Sequence, residues 1–319
     1  MRAIASRRGQ MRIVNHWTSL DTACKGASVA MGNFDGVHLG HQTVIDLARR
    51  DDAPLGIVTF EPHPREYFAP AAPPFRLMNA EARANRLARM GVSCLYELPF
   101  GAELSGFSPQ DFAQMVLHQG LGVSHVVIGA DFCFGKGRAG TADDLARYGR
   151  ELGFDVTIAP LLRDSDAVYS STAIRAALSD GRARDAARML GHWHRIDGVV
   201  LHGEKRGRGL GYPTANMSIT GLHPPRFGVY AVQVDVLTGP HKGRYGGVAS
   251  MGVRPMFGQN QPNLESFLFD FTGDLYDAHL SVALIEHLRD EVKFDSLDAL
   301  IAQMDRDSAQ ARAILAALD

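Results

Sequence analysis

Cysteine is scarce and scattered: Cys24, Cys94 and Cys133 are the only three in 319 residues. An odd number at such wide spacing suggests neither a disulfide framework nor a Cys-x-x-Cys metal site. Long apolar runs are missing too. None approaches the ~18 residues of a membrane span, and no secretory signal pattern is visible, so a membrane is not an expected partner. Charge of one sign is not in excess: charged residues make up 21%, the formal net charge is −2 and the pI is near 6.7. That balance argues against a nucleic-acid partner gripped by a broad basic field. There is no internal repeat and no low-complexity tract. Residues 1–10 are short and basic with no apolar segment behind them, and read as a disordered arm or as a stretch ahead of a start at Met11. A soluble cytoplasmic protein is the simplest expectation. The length gives room for two domains, each able to bury its own core.

What is present begins at Met31-Gly-Asn-Phe-Asp-Gly-Val-His-Leu-Gly-His41. Apolar residues 27–31 read as a buried strand, residues 42–50 carry the i, i+3, i+4 spacing of a helix, and residues 56–60 read as the next strand. This is a βαβ unit with Gly32, Gly36, Gly40 and two imidazoles in its first turn. Glycines let backbone N–H groups approach a ligand, and a helix N-terminus favours an anion. His38 and His41, three apart, can face the same anion. Three readings compete: ordinary histidines, a metal site completed by Asp35, or a phosphate-binding turn whose imidazoles stabilise charge on a phosphoryl group.

The string Gly-x-Phe-Asp-Gly-Val-His-x-Gly-His resembles the signature of the HxGH nucleotidyltransferases in the form used by bacterial riboflavin kinase/FAD synthetases, which favours the third reading. The resemblance implies that this turn binds ATP and adenylylates FMN, with Gly32, Phe34 and Asp35 against the nucleotide and His38 and His41 as catalytic phosphate stabilisers. Thr59-Phe-Glu-Pro-His-Pro64 matches the family's Thr-Phe-x-Pro-His-Pro, which implies that Phe60 and His63 line the nucleotide and flavin pocket, although a histidine between prolines also reads as a turn residue. Asp131-Phe-Cys-Phe-Gly-Lys-Gly-Arg-Ala-Gly140 resembles a loop that closes over the nucleotide and brings in Asp131; Cys133 and Thr141 depart from the pattern there. Tyr169-Ser-Ser-Thr-Ala-Ile-Arg175 opens a helix with hydroxyls and a guanidinium, a combination suited to an anion. It matches the family's second motif, implying that Ser171, Thr172 and Arg175 grip the triphosphate.

Further elements before the junction are helices at 81–90, from Ser108 and at 143–152, and strands at 92–97, 125–129 and 154–159; a last helix lies within 181–191. Beyond Gly191 strands come without helices, at 196–202, 228–237, 246–251, 264–271 and 280–285, with a period of two that suggests a small antiparallel barrel. An amphipathic helix over 296–318, with Leu297, Leu300, Ile301 and Met304 on one stripe, is expected to pack on it. Between the first strands, Gly203-Glu-Lys-Arg-Gly-Arg-Gly-Leu-Gly-Tyr-Pro-Thr-Ala-Asn216 offers glycines with Lys205, Arg206 and Arg208 for polyphosphate, and Thr214 and Asn216 as oxygen ligands for Mg²⁺. Gly-Tyr-Pro-Thr-Ala-Asn resembles the Gly-Phe-Pro-Thr-Ala-Asn hallmark of riboflavin kinases, where Thr and Asn help hold MgATP; Gly203, Lys205 and Arg208 fall in the same implied site. Residues 247–257 resemble the family's next motif, with Ser250 in place of Asn and Met256 in place of Thr. Alternation puts Glu265 on one face with Phe267, Phe269 and Phe271, at the expected barrel mouth. The resemblance identifies Glu265 as the base that deprotonates riboflavin.

The resemblance covers residues from about Arg12 to Gln303. It implies an α/β N-terminal nucleotidyltransferase domain (Rossmann-like, HxGH) over 12–188 that adenylylates FMN. An antiparallel β-barrel riboflavin kinase domain with a C-terminal helix follows over 189–319. The substrates would be riboflavin, FMN and ATP with Mg²⁺. A single-activity enzyme with one decayed site and a non-catalytic flavin-binding regulator are the alternatives.

Overall fold

A computed structural model describes residues 11–18, 20, 22–160, 163–164, 167–202, 212–256 and 259–318. The chain forms two compact units, one from residues up to and including Ala72 together with Arg83–Tyr169, the other from Pro73–Ala82 and residues from Ser170 onward.

The first unit holds a parallel sheet of β1 (Arg12–Val14), β2 (Ser28–Met31), β3 (Leu55–Glu61), β4 (Cys94–Pro99), β5 (His125–Gly129) and β6 (Asp155–Ala159), in the order β1-β4-β3-β2-β5-β6. β2 is buried along its whole length, as expected of a parallel strand covered on both faces. Its helices are α1 (Leu39–Leu47), α2 (Pro64–Phe68), most of α3 (Ala80–Arg89), α4 (Ala102–Gly106), α5 (Pro109–Asp111, continued by a π-helix to Leu121) and α6 (Ala142–Leu152). The short β1, α2 and α4 carry no readable period. The chain leaves β2 towards β3 on one side and returns to its other side as β5, so β2 stands at the point where the strand order reverses. In such sheets ligands bind beyond the carboxyl ends of strands at that point, and the Gly32–His41 turn lies directly after β2.

One expectation fails here. Cys24 and Cys94 form a disulfide with their Cα atoms 6.0 Å apart, tying the segment before β2 to the start of β4. Seventy residues separate them, so spacing carried no hint of the pairing. Cys133 is a free thiol.

The first unit ends with an antiparallel pair of two-residue strands, β7 (Arg163–Asp164) and β8 (Ala167–Val168), and the second unit continues with α7 (Ser171–Ser179) and α8 (Ala183–Leu190). A six-stranded antiparallel sheet follows: β9 (Arg195–Val199), β10 (Ala215–Ser218), β11 (Gly228–Val236), β12 (Gly243–Met256), β13 (Gln259–Leu268) and β14 (His279–Arg289), ordered β10-β13-β12-β11-β14-β9. Leu201 N–H donates to the Asn216 carbonyl at 2.8 Å, bringing the two edges together into a nearly closed barrel. β10, half of whose residues are polar, was not anticipated as a strand. The barrel interior is built from Ile196, Met217, Tyr230, Val232, Met251, Leu264, Val282 and their neighbours.

α9 (Leu297–Ala316) caps the outer face through Ala311, Ile314 and Leu315 against Ala231, Val248, Phe269 and Ile285. The expected stripe at its N-terminal end does not carry this packing, and Leu297 is 53% exposed. α7 and α8 pack on each other and on Leu77, so residues 73–82 belong to this unit although α2 and most of α3 flank them in the first.

Candidate functional sites

The turn after β2 is wound tightly. Gly36 takes φ +89°, a conformation open to glycine, and Phe34 and Val37 adopt positive φ as well. Thr59 Oγ donates to the Asn33 carbonyl at 3.2 Å, fastening β3 to the turn. His38 is the N-cap of α1, its Nδ1 accepting from the His41 N–H at 3.3 Å. An Nδ1 that accepts puts the proton of a neutral ring on Nε2. The two rings stack at 3.6 Å between centroids, and Phe34 meets His41 edge-on at 5.3 Å. A Cβ on Gly40 would sit 3.1 Å from the His38 ring, so glycine there admits that ring. Gly32 is under no such constraint, since a Cβ would meet only Phe34 at ordinary contact distance. Burial, then the neighbouring His38, holds the His41 pKa well below the ordinary imidazole value, so His41 is neutral at pH 7. Its Nδ1 is buried without a hydrogen-bond partner. Asp35 is buried at 5% exposure, yet among the described residues no three His, Cys, Asp or Glu side chains are grouped to hold a metal ion.

His63 follows the cis Glu61–Pro62 bond and caps α2: its Nδ1 accepts from the Arg65 N–H at 3.0 Å while Glu66 takes the His63 N–H at 3.0 Å. This is the turn role that the flanking prolines suggested. Glu61 is in turn gripped by the buried Arg83, whose Nη2 lies 2.8 Å from both Glu61 and Glu97. Phe60 is buried and meets Phe100 edge-on at 5.8 Å; Phe100 also touches Tyr67 and Phe68, the latter 68% exposed. This aromatic edge was missed, although Tyr67 and Phe68 stand a few residues after the Pro-His-Pro motif. Asp131 is exposed just beyond β5, the strand beside β2. Thr141, one departure from the family loop, caps α6 in a reciprocal pair with Asp144.

Ser171, Thr172 and Arg175 lie on α7, in the compact unit other than that of the histidines. Ser170, not Ser171, is the N-cap, accepting from the Ala173 N–H at 3.2 Å. Arg175 Nε donates to the Phe75 carbonyl at 2.6 Å, and the guanidinium lies 5.4 Å from the centre of the Phe75 ring.

In the barrel, Gly203, Lys205, Arg206 and Arg208 lie outside the described residues. Register brings the remaining motif residues together: Asn216 on β10 and Ser250 on β12 both stand directly opposite Glu265 on β13. Directly opposed residues share a sheet face, so three separated motifs form one polar row. The row stands on the outer face, because Leu264, Ser266 and Leu268 point inward; Glu265 is therefore not at the barrel mouth. Asn263 Nδ2 donates to Glu265 Oε1 at 3.2 Å, and Asn216 Nδ2 to the Thr214 carbonyl at 3.4 Å. Phe267 and Phe269 lie on the Glu265 face as alternation requires, but Phe271 does not. Asp270 at φ +56° turns the chain, and Phe271 packs with Tyr245 against the interior cluster.

A histidine–glycine turn at the switch point of a parallel sheet, and an Asn–Glu–Ser row on an antiparallel barrel, are the features of an enzyme of phosphoryl chemistry. Family models match accordingly: FAD synthetase over residues 21–173 and riboflavin kinase over residues 190–315. The chain belongs to the bifunctional riboflavin kinase/FMN adenylyltransferases, enzymes that phosphorylate riboflavin to FMN and adenylylate FMN to FAD. The bifunctional enzyme of Pseudomonas fluorescens is 40% identical over 96% of this chain and 98% of its own. That of Escherichia coli (strain K12) is 37% identical over 90% and 92%. The crystal structure of a macrolide-efflux protein from Streptococcus pneumoniae matches with a TM-score of 0.79 at 32% identity, over 95% of this chain and 99% of that one. Efflux describes that protein alone; among the described residues here no helix is long and apolar enough to cross a membrane.

Proposed function

We propose that residues 12–188 carry the adenylylation of FMN and residues 189–319 the phosphorylation of riboflavin, in a cytoplasmic protein with no nucleic-acid or membrane partner. The observation that carries the residue-level reading is the in-register row of Asn216, Glu265 and Ser250. Glu265 accepts the proton of the riboflavin hydroxyl as its oxygen bonds to the γ-phosphorus of ATP and the bond to ADP breaks. Thr214 and Asn216 supply neutral oxygens of the kind that a hard cation takes, and Mg²⁺ bound with ATP would neutralise phosphate charge there. Ser250 stands on the other side of Glu265, where its hydroxyl can hydrogen-bond, as the usual Asn would. Gly203, Lys205 and Arg208 are assigned to the polyphosphate on the family motif alone.

In the second reaction a phosphate oxygen of FMN bonds to the α-phosphorus of another ATP, and pyrophosphate leaves. His38 and neutral His41 act as hydrogen-bond donors to the phosphoryl oxygens, a role that their shared turn and the low pKa of His41 support. Gly32, Phe34, Asp35 and Asp131 are assigned to the nucleotide, and Ser171, Thr172 and Arg175 are assigned to the triphosphate on the family motif alone, the guanidinium plane being set by Phe75. Phe60 and His63, with exposed Phe68 and Tyr67, offer flat surface for the flavin ring. Incubation with riboflavin and MgATP, followed by chromatography of the flavins, tests the division. Glu265→Gln should stop at riboflavin yet still turn supplied FMN into FAD, and His41→Ala should stop at FMN. Loss of both activities in either variant, riboflavin phosphorylation and FAD formation from supplied FMN, in a folded protein, would refute separate sites.

A further inference from the structure

Where the family hallmark has phenylalanine, this chain has Tyr212, and the extra oxygen has a partner. The Tyr212 ring packs on Phe267 with centroids 4.8 Å apart, and its hydroxyl donates to Asp305 Oδ1 on α9. That helix is firmly seated. Asp307, two residues on and 4% exposed, accepts from Arg289 Nε at 3.0 Å and Nη2 at 2.8 Å, and from Gln303 Nε2 at 2.7 Å. A turn further along, Arg312 pairs with Asp270 at 2.8 Å and 2.9 Å and covers the Phe269 ring. Asp305 is therefore presented from a fixed support. Pro213 follows Tyr212 and restricts the backbone torsions between it and Thr214, so fixing Tyr212 also limits where Thr214 and Asn216 can go.

We propose that the Tyr212 hydroxyl and the Asp305 carboxylate form a latch that pre-orders the segment carrying Thr214 and Asn216, making both positioning residues for nucleotide binding in the kinase reaction. The inference rests on the reading that Thr214 and Asn216 hold MgATP. A segment ordered before ATP arrives spares that ordering on binding, so losing the latch appears in the KM for ATP rather than in turnover. Burial first, then the bond to Asp305, raises the Tyr212 pKa above its ordinary value, which keeps the donor proton in place at neutral and mildly alkaline pH.

Tyr212→Phe keeps the ring against Phe267 and removes only the hydroxyl. With total FMN plus FAD measured as kinase output, Tyr212→Phe and Asp305→Asn should each raise the KM for MgATP roughly five-fold, the worth of one charge-assisted hydrogen bond at a partly exposed site, with kcat within about two-fold. The double variant should be no worse than either single one, because both remove the same interaction. FAD formation from supplied FMN should stay as in the parent. An unchanged KM in Tyr212→Phe, effects that simply add in the double variant, or a fall confined to kcat would overturn the latch. Thr214→Val separates the two layers. If it leaves the KM for MgATP unchanged, the assignment of Thr214 is wrong; if it raises KM while Tyr212→Phe does not, the latch alone is wrong.

Discussion

Acid should loosen the second unit through one histidine, His194. The ring is 3% exposed, and its Nε2 lies 2.8 Å from the Leu77 carbonyl, which requires a proton on Nε2. Its Nδ1 is buried without a partner, so a second proton would place charge where nothing receives it. Burial, only partly offset by the Leu77 bond, pulls its pKa from the ordinary 6.5 to about 4. The unfolded chain therefore binds a proton near pH 6.5 that the folded chain refuses until about pH 4. Stability rises with pH throughout that window; the contribution is fully present above the unfolded value and is lost as the pH falls. The gap corresponds to about 3 kcal/mol of stability lost between neutral pH and pH 4. Urea unfolding followed by the fluorescence of Trp193, in a Trp17→Phe background so that the signal comes from this unit, measures it. His194→Asn removes the titration and should flatten the pH dependence between 6.5 and 4 by that amount. Parallel pH profiles for parent and variant would refute the account of a buried neutral imidazole.

The kinase and adenylylation sites make separable predictions. Glu265→Gln keeps the side chain's shape and should slow riboflavin phosphorylation roughly 10²–10⁴-fold, with FAD formation from FMN retained; kinase turnover within a few-fold of the parent would show that Glu265 is not the base. His41→Ala should slow FAD formation at least ~10²-fold with FMN formation unaffected, and stoichiometric zinc lost on that substitution would instead restore the metal reading of Asp35, His38 and His41. A fragment starting at Gly191 exposes the barrel surface that α7 and α8 cover and should melt lower by circular dichroism than one starting at Ser170. Equal melting temperatures would place the working boundary where the periodicity changes.

Two kinds of information were legible in the sequence: patterns that close within a few residues, and motif strings. The buried run of β2, the glycine-rich turn and the helical spacing of α1 are contiguous, so the turn that brings His38 and His41 together was readable. Alternation along β13 correctly put Glu265 with Phe267 and Phe269, because period two is a local property. It failed at Phe271, where one positive φ at Asp270 ends the alternation. Periodicity does not say which distant residues meet. Nothing in the spacing of Cys24 and Cys94 shows that β4 starts beside the segment entering β2, and nothing in α9 shows that Asp305 faces Tyr212 across a gap of 93 residues. The in-register row of Asn216, Glu265 and Ser250 is of the same kind, since each belongs to a different strand.

The segment 73–82 shows why a boundary drawn from composition differs from one drawn by packing. Side chains tie it to the rest of the second unit at four points: the Phe75 carbonyl takes Arg175, the Leu77 carbonyl takes His194, Asn79 Nδ2 donates to the Asp197 carbonyl at 2.8 Å, and Glu81 lies 2.7 Å from His279. Three of these four bonds involve a main-chain carbonyl of the segment or of β9. Carbonyls are the same for every residue type, so the interaction leaves almost no mark on the sequence. Arg175 and His194 were visible as residue types, and one of them was read as a phosphate ligand, yet each has a partner that only the folded chain reveals. For Arg175 the two roles are compatible. A guanidinium carries five N–H donors, and holding one of them on Phe75 fixes the plane in which the others are offered. The motif arginine is thereby oriented by a segment that lies 100 residues before it.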